Sequence, residues 1–110
     1  MKFETRKRYD ARAKILKALA HPTRLFIVEV LSKREKCVCE LTSMVEADVS
    51  TVSKHLSILK NAGIVQDRKN GLQVHYSLKC PCAARFFLCV ESVLKSNAKE
   101  QAKILKGSKR

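Results

Sequence analysis

The chain has 110 residues, 23 Lys plus Arg against 10 Asp plus Glu, and a formal net charge of +13: room for one domain with one core, and enough positive charge to call for a polyanionic partner. Nucleic acid fits that charge first and an anionic membrane surface second. No run reaches the roughly 18 apolar residues of a membrane span, and MKFETRKRY lacks a signal-peptide core, so no membrane partner is expected and the expected location is the cytoplasm.

The 5 cysteines are an odd number in a cytosolic chain and are expected as thiols rather than as a disulfide framework. The absence of Trp and the few other aromatics argue against a base-stacking platform for single strands. Residues 1–8 are charged and expected to fray. From Tyr9 to Ala20, Ala11, Ile15, Ala18 and Leu19 recur at helical spacing with Leu16 beside them, which predicts a helix. His21 and Pro22 end that run, and Pro22 suits the first position of a new helix, where its missing amide hydrogen costs nothing. That helix, Pro22 to about Lys33, carries Leu25, Phe26, Ile27, Val28, Val30 and Leu31 around most of its circumference and belongs at the centre of the fold.

The stretch from Cys37 to Gly63 reads as two short helices joined by a tight turn. The first, roughly Cys37 to Val45, is amphipathic through Leu41, Met44 and Val45. Asp48 offers an oxygen to the free amides of the second, whose apolar face is Val49, Val52, Leu56 and Leu59. Gly63 closes it at a position that needs a positive φ. The other face presents Ser50, Thr51, Ser53, Lys54, His55 and Ser57, short hydroxyls and a cation suited to a major groove. Ser50, Thr51, Ser53 and His55 are the candidates for base edges, and Lys54 for a phosphate.

Ile64 to Arg68 and Gln73 to Leu78 are β-prone and flank Lys69-Asn70-Gly71-Leu72, where Asn-Gly predicts a type I′ turn. Arg68 and Lys69 make the tip basic and Gln73 follows on the return strand, as in a wing that reaches along a DNA backbone. Cys80-Pro81-Cys82 then opens a last helix, with Cys80 near the N-cap and Pro81 at the first helical position. Phe86, Cys89, Val90 and Val93 form a stripe widened by Phe87, Leu88 and Leu94. A small domain cannot bury that stripe together with the first helix, so a homodimer through the N- and C-terminal helices is expected.

From Lys95 onward the chain is sparse in apolar residues and rich in lysine, expected to continue as a helix for a few turns and then fray, which leaves 9–96 as the folded part of a single domain spanning 1–110, with 97–110 a basic tail. The order is mainly α with a small β-hairpin, a winged helix–turn–helix. No nucleophile–base pair, phosphate-binding glycine loop or paired catalytic carboxylates occur at useful spacing, so an enzyme is not expected.

The chain resembles the ArsR/SmtB metalloregulatory repressors over about residues 10–95. The resemblance rests on His21-Pro22-Thr23-Arg24-Leu25, Cys37-Val38-Cys39-Glu40-Leu41, Ser50-Thr51-Val52-Ser53-Lys54-His55-Leu56, Leu59-Lys60-Asn61-Ala62-Gly63-Ile64-Val65 and Val74-His75-Tyr76-Ser77-Leu78. It implies a dimeric repressor that leaves double-stranded operator DNA when a metal or metalloid binds. The Cys-Val-Cys element is similar to the arsenite-, antimonite- and cadmium/lead-sensing branches, so the implied inducer is As(III) or Sb(III), alternatively Cd(II) or Pb(II), on Cys37 and Cys39. Soft thiolates select such ions over hard cations.

Where the arsenite branch carries a third cysteine, this chain has Thr42. Either two sulfurs suffice or Cys82, Cys80 or Cys89, in that order, supplies the third; Cys89 within the apolar stripe reads better as packing. On a regular helix residues two apart point about 200° from each other, so Cys37 and Cys39 share an ion only if the first turn unwinds. Two other readings stay open: a redox or persulfide switch joining Cys39 to a cysteine of the last helix, and a constitutive DNA-binding protein whose cysteines fill space.

Overall fold

The computed structural model describes residues 1–107. Its elements run α1 (Phe3–Leu19), α2 (Pro22–Lys33), β1 (Lys36–Cys37), α3 (Val38–Val45), α4 (Val49–Asn61), β2 (Val65–Asn70), β3 (Gln73–Leu78) and α5 (Ala83–Gly107). This is the winged helix–turn–helix expected from the order of elements.

The N-terminal segment expected to fray is helical from Phe3. Local contacts one turn apart support it: Arg6 Nε lies 3.0 Å from Asp10 Oδ1, and Lys7 Nζ sits 4.6 Å from the Phe3 ring centroid. Pro22 takes the first turn of α2, and His21 caps it, its Nδ1 accepting from the Thr23 amide at 3.1 Å. Arg24 reaches back to donate from Nε to the Ala18 carbonyl at 2.6 Å, one of the acceptors left open at the end of α1.

The helix–turn–helix is bounded by caps at both ends. Cys37 is the N-cap of α3 rather than its first residue, with extended backbone (φ −78, ψ 161), and Glu46 ends that helix in the left-handed region at φ 60. Asp48 caps α4 by accepting the Thr51 amide at 2.8 Å. Gly63, at φ +81, closes it: the Gly63 amide bonds to the Lys60 carbonyl and the Ile64 amide to the Leu59 carbonyl, both at 3.0 Å.

The wing forms one residue out of the expected register. Asn70 pairs with Gln73, so the two loop residues are Gly71 and Leu72. Gly71 takes φ +66 while Leu72 keeps a negative φ, the sign pattern of a type II′ turn instead of type I′. A third strand, β1, was not foreseen; it pairs with the far edge of β3, Lys36 opposite Tyr76 and Cys37 opposite His75, giving the order β1-β3-β2.

The core sits between the three central helices. Ile27 and Val28 of α2, Leu41 of α3, and Val52, Leu56 and Leu59 of α4 are fully buried, closed off by Ala18, Leu19, Ile64 and Val65. Two residues expected on buried faces are not there: Val49, in the first turn of α4, is 58% exposed and Met44 is 44% exposed.

α5 begins at Ala83, two residues after the proline expected to open it, because Cys80, Pro81 and Cys82 form a turn whose carbonyls accept from the amides of Ala83, Ala84 and Arg85. The helix then continues to Gly107, the few turns beyond Lys95 that were expected; residues 108–110, where fraying was expected, lie outside the described residues. None of its 25 residues is buried. Phe86 and Phe87 are half-buried against the core, but Val93 and Leu94, on the same face, are 59% and 55% exposed. Leu88 lies across the helix from them, at roughly 100° of rotation per residue. The radius of gyration, 18.0 Å, exceeds the roughly 13 Å of a compact chain of this length because α5 extends past the body.

Candidate nucleic-acid interface and thiol pair

α4 holds Ser50, Thr51, Ser53, Lys54 and Ser57 exposed on the face turned away from the core. Its start is pinned by Asp48, whose carboxyl is held below the usual carboxylate range by hydrogen bonds from the Thr51 side chain, the Thr51 amide and the Ser50 hydroxyl. Ser50 Oγ donates to Asp48 at 3.0 Å, so this hydroxyl is oriented by the cap.

His55, one turn after Thr51, stands at the border of that face. It is half-buried, its Nδ1 3.3 Å from Arg24 Nη1 and its ring centroid 4.5 Å from that of His21. Burial, then the charges of His21 and Arg24, push its imidazole below the ordinary value, which favours the neutral ring. In the single chain this contact ties α4 to the junction of α1 and α2. Sequence reading missed this cluster because its members lie 31 residues apart, although Arg24 stands in the quoted His-Pro-Thr-Arg-Leu motif.

On the wing, Lys69 and Gln73 are exposed. Arg68 is exposed too but engaged: its guanidinium forks onto Glu35, Nε to Oε1 at 3.2 Å and Nη2 to Oε2 at 2.9 Å. That hydrogen-bonded guanidinium holds the Glu35 carboxyl below the usual range. An exposed pair of this kind exchanges readily for another anion.

The expectation of free thiols does not hold for four of the cysteines. Cys37 is joined to Cys39 and Cys80 to Cys82, with Cα atoms 5.3 and 5.4 Å apart, inside the range disulfides permit; Cys89 is free and exposed. No unwinding of α3 is needed for the first pair, because Cys37 stands outside the helix, where its extended backbone turns the side chain toward Cys39. Cys37 Sγ also accepts the Glu40 amide at 3.3 Å, while Glu40 Oε1 accepts the Cys37 amide at 3.1 Å, a reciprocal cap in which sulfur takes the usual place of a hydroxyl.

Cys37 is 4% exposed and Cys39 opens to solvent. Both line a groove of about 380 Å³ with Val38, Val49 and Ser53 on the helix side and Leu72, Gln73 and Val74 on the wing. Leu72 is a fully exposed apolar side chain at the hairpin tip. Among the described residues no three His, Cys, Asp or Glu converge, so Cys80, Cys82 and Cys89 are not brought to Cys37 and Cys39 within one chain. Cys39 is bonded to its neighbour, not to the last helix as the redox reading expected. No described helix is long and apolar enough to cross a membrane.

Residues 21–67 match the family model described as "Bacterial regulatory protein, arsR family". The chain is 48% identical over 67 residues to a cadmium resistance transcriptional regulatory protein CadC homolog of Staphylococcus aureus, covering 60% of this chain and 55% of that protein. It is 43% identical over 65 residues to the arsenical resistance operon repressor of Escherichia coli K12, covering 58% and 56%. The matched segment thus spans little more than half the length of either relative. Among solved structures, the Mycobacterium tuberculosis protein Rv0081 superposes with a TM-score of 0.77 at 34% identity, over 86% of this chain and 95% of that one. A homodimeric winged helix–turn–helix DNA-binding domain of Mycobacterium bovis superposes at 0.77 and 27% identity, over 91% and 93%.

Proposed function

The chain belongs to the ArsR family of bacterial regulatory proteins, and from that premise we propose that it is a homodimeric repressor of operator DNA, relieved when a thiophilic ion, arsenite or antimonite before cadmium or lead, binds Cys37 and Cys39. One observation carries this reading: the sulfur pair lies in the groove between the start of α4 and the wing, between two of the DNA contacts it would govern, Ser53 and Gln73. The resemblance to repressors named for arsenical and cadmium resistance supports the ligand class.

In the DNA complex α4 enters the major groove with Ser50, Thr51 and Ser53 toward base edges, and Lys54, Arg68 and Lys69 on phosphates. Arg68 exchanges Glu35 for a phosphate on docking. The reduced pair supplies two soft sulfurs. Engaging them draws Cys37 Sγ away from the Glu40 amide, loosens the start of α3 and shifts the helix–turn–helix against the wing. Titration of arsenite into reduced protein bound to DNA from upstream of its own gene tests this. Affinity should fall by about 5- to 150-fold, the usual range of allosteric coupling, and Cys37→Ser with Cys39→Ser should abolish the fall. Unchanged affinity at stoichiometric arsenite refutes it.

The pairing of Cys37 with Cys39 favours one second reading, in which that dithiol–disulfide couple is itself the signal. Protein reduced with a phosphine and protein left oxidised would then differ in DNA affinity without any ion added.

A further inference from the structure

We infer that Cys80 and Cys82, in the turn that leads into α5, form a second soft-ion site, one for a monovalent cation of the copper(I) type held by two thiolates. The proposed function leaves this pair unused, and nothing in the inference depends on Cys37 and Cys39. The two cysteines are brought together with Cα atoms 5.4 Å apart, and both are exposed, so they do not serve as small core residues. Pro81 between them has a fixed φ, which limits the ways the pair can splay apart. The turn is anchored on both sides. The Lys79 amide bonds to the Ile64 carbonyl at 2.9 Å, and the Cys80 and Cys82 carbonyls accept from the Ala83 and Arg85 amides at 3.2 and 3.0 Å.

Donor count and charge select the guest. Among the described residues no third His, Cys, Asp or Glu joins the pair. Cys89 stands about two helical turns beyond Cys82, roughly 10 Å along the axis, out of reach of an ion on the turn. Zinc takes four donors and arsenic(III) three bonds, so two sulfurs leave either incomplete. A soft monovalent d¹⁰ ion is satisfied by two thiolates. That complex carries one net negative charge, whereas a divalent ion on the same pair is neutral. The surroundings favour the anion. Lys79 and Arg85 flank the turn, both exposed and neither in an ion pair among the described residues, and no Asp or Glu occurs between Asp67 and Glu91. The positive end of the α5 dipole adds to the same field.

The chemistry balances. A phosphine first opens the disulfide, taking the oxygen of one water to become its oxide and leaving two thiols. Copper(I) plus two Cys–SH then gives Cu(S–Cys)₂⁻ and two protons released to water. Two copper–sulfur bonds form, and copper stays in the +1 state.

The test uses the full chain carrying Cys37→Ser and Cys39→Ser, which keeps a hydroxyl at the α3 cap and removes the other sulfur pair. Reduced with a phosphine and titrated with copper(I) against bicinchoninate, this variant should retain one copper per chain, and X-ray absorption at the copper edge should show two sulfur neighbours. Adding Cys80→Ser and Cys82→Ser should abolish retention, and Cys89→Ser should leave it unchanged. Lys79→Gln and Arg85→Gln should each weaken it roughly threefold at low salt, the effect of one unit charge several ångströms away in water. The inference fails if no copper is retained, if retention survives loss of Cys80 and Cys82, or if three or more sulfurs surround the copper. It fails equally if Cys89→Ser lowers retention, if neither charge variant weakens it, or if zinc(II) under a matched chelator is held as tightly. None of these results touches the arsenite titration, which reads Cys37 and Cys39.

Discussion

Replacing Leu94 by serine should dissociate the dimer. Leu94 lies on the same face of α5 as Val93 and is 55% exposed in the single chain, a state in which a leucine on an otherwise apolar stripe does not pack its area against anything. Complete burial of a leucine is worth about 1.5–3 kcal/mol, so covering the exposed half contributes about 0.8–1.6 kcal/mol per copy. Symmetry doubles the loss to about 1.6–3.2 kcal/mol, which raises the dimer Kd by roughly 15- to 200-fold. Sedimentation velocity over a concentration series reads that change directly. The thermal midpoint of the monomer should stay put, because the side chain is not part of the core. An unchanged dimer Kd would refute the assignment of this stripe to the interface, and with it the doubling.

Lys54→Ala and Lys69→Ala should each weaken DNA binding alike on specific and random sequence and reduce the salt slope by about one per protomer, measured by fluorescence anisotropy against salt concentration. Glu35→Gln should strengthen DNA binding a few-fold at most, because Arg68 no longer leaves a carboxylate to reach a phosphate. His55 has a folded-state value below its ordinary 6.5, so the fold favours the neutral ring. Its contribution to stability is present above that value and is lost as the pH falls, since the unfolded chain then takes up the proton more readily. The melting temperature should drop between pH 7.5 and 5.5, and His55→Gln should flatten that part of the profile. Glu40 is depressed first by the Cys37 amide, then by Lys36, so its share of the α3 cap should persist above the usual carboxylate range and fade as acid protonates it; circular dichroism in acid, compared with Glu40→Gln, checks the sign.

The periodic elements were legible because each rests on local chemistry. Pro22, Asp48 and Gly63 each mark a boundary through their own backbone or side-chain hydrogen bonding, and the structure uses all three as read. The misses were of two kinds. β1 is only two residues long, below any detectable alternation, and exists because β3 offers it an edge. The Arg24–His55 and Arg68–Glu35 contacts join residues 31 and 33 apart, so neither is written in any window of sequence. The hairpin register shifted by one because Asn-Gly and Gly-Leu both satisfy a two-residue turn, and pairing Asn70 with Gln73 decided between them. At the thiol site, spacing on an ideal helix argued against a shared guest. The side chain of Cys37 escapes that argument by sitting one residue before the helix begins.

β1 ends at Cys37 and α3 begins at Val38, with no residue between them. A strand running straight into a helix has no slack, so a displacement of the sulfur-bearing backbone is spent neither in loop rearrangement nor in side-chain reorientation. It arrives undiminished at the rung opposite His75 and at the first turn of α3. Because the same junction lies between the two sulfurs, a glycine inserted there should spoil the grip on the guest and its transmission together.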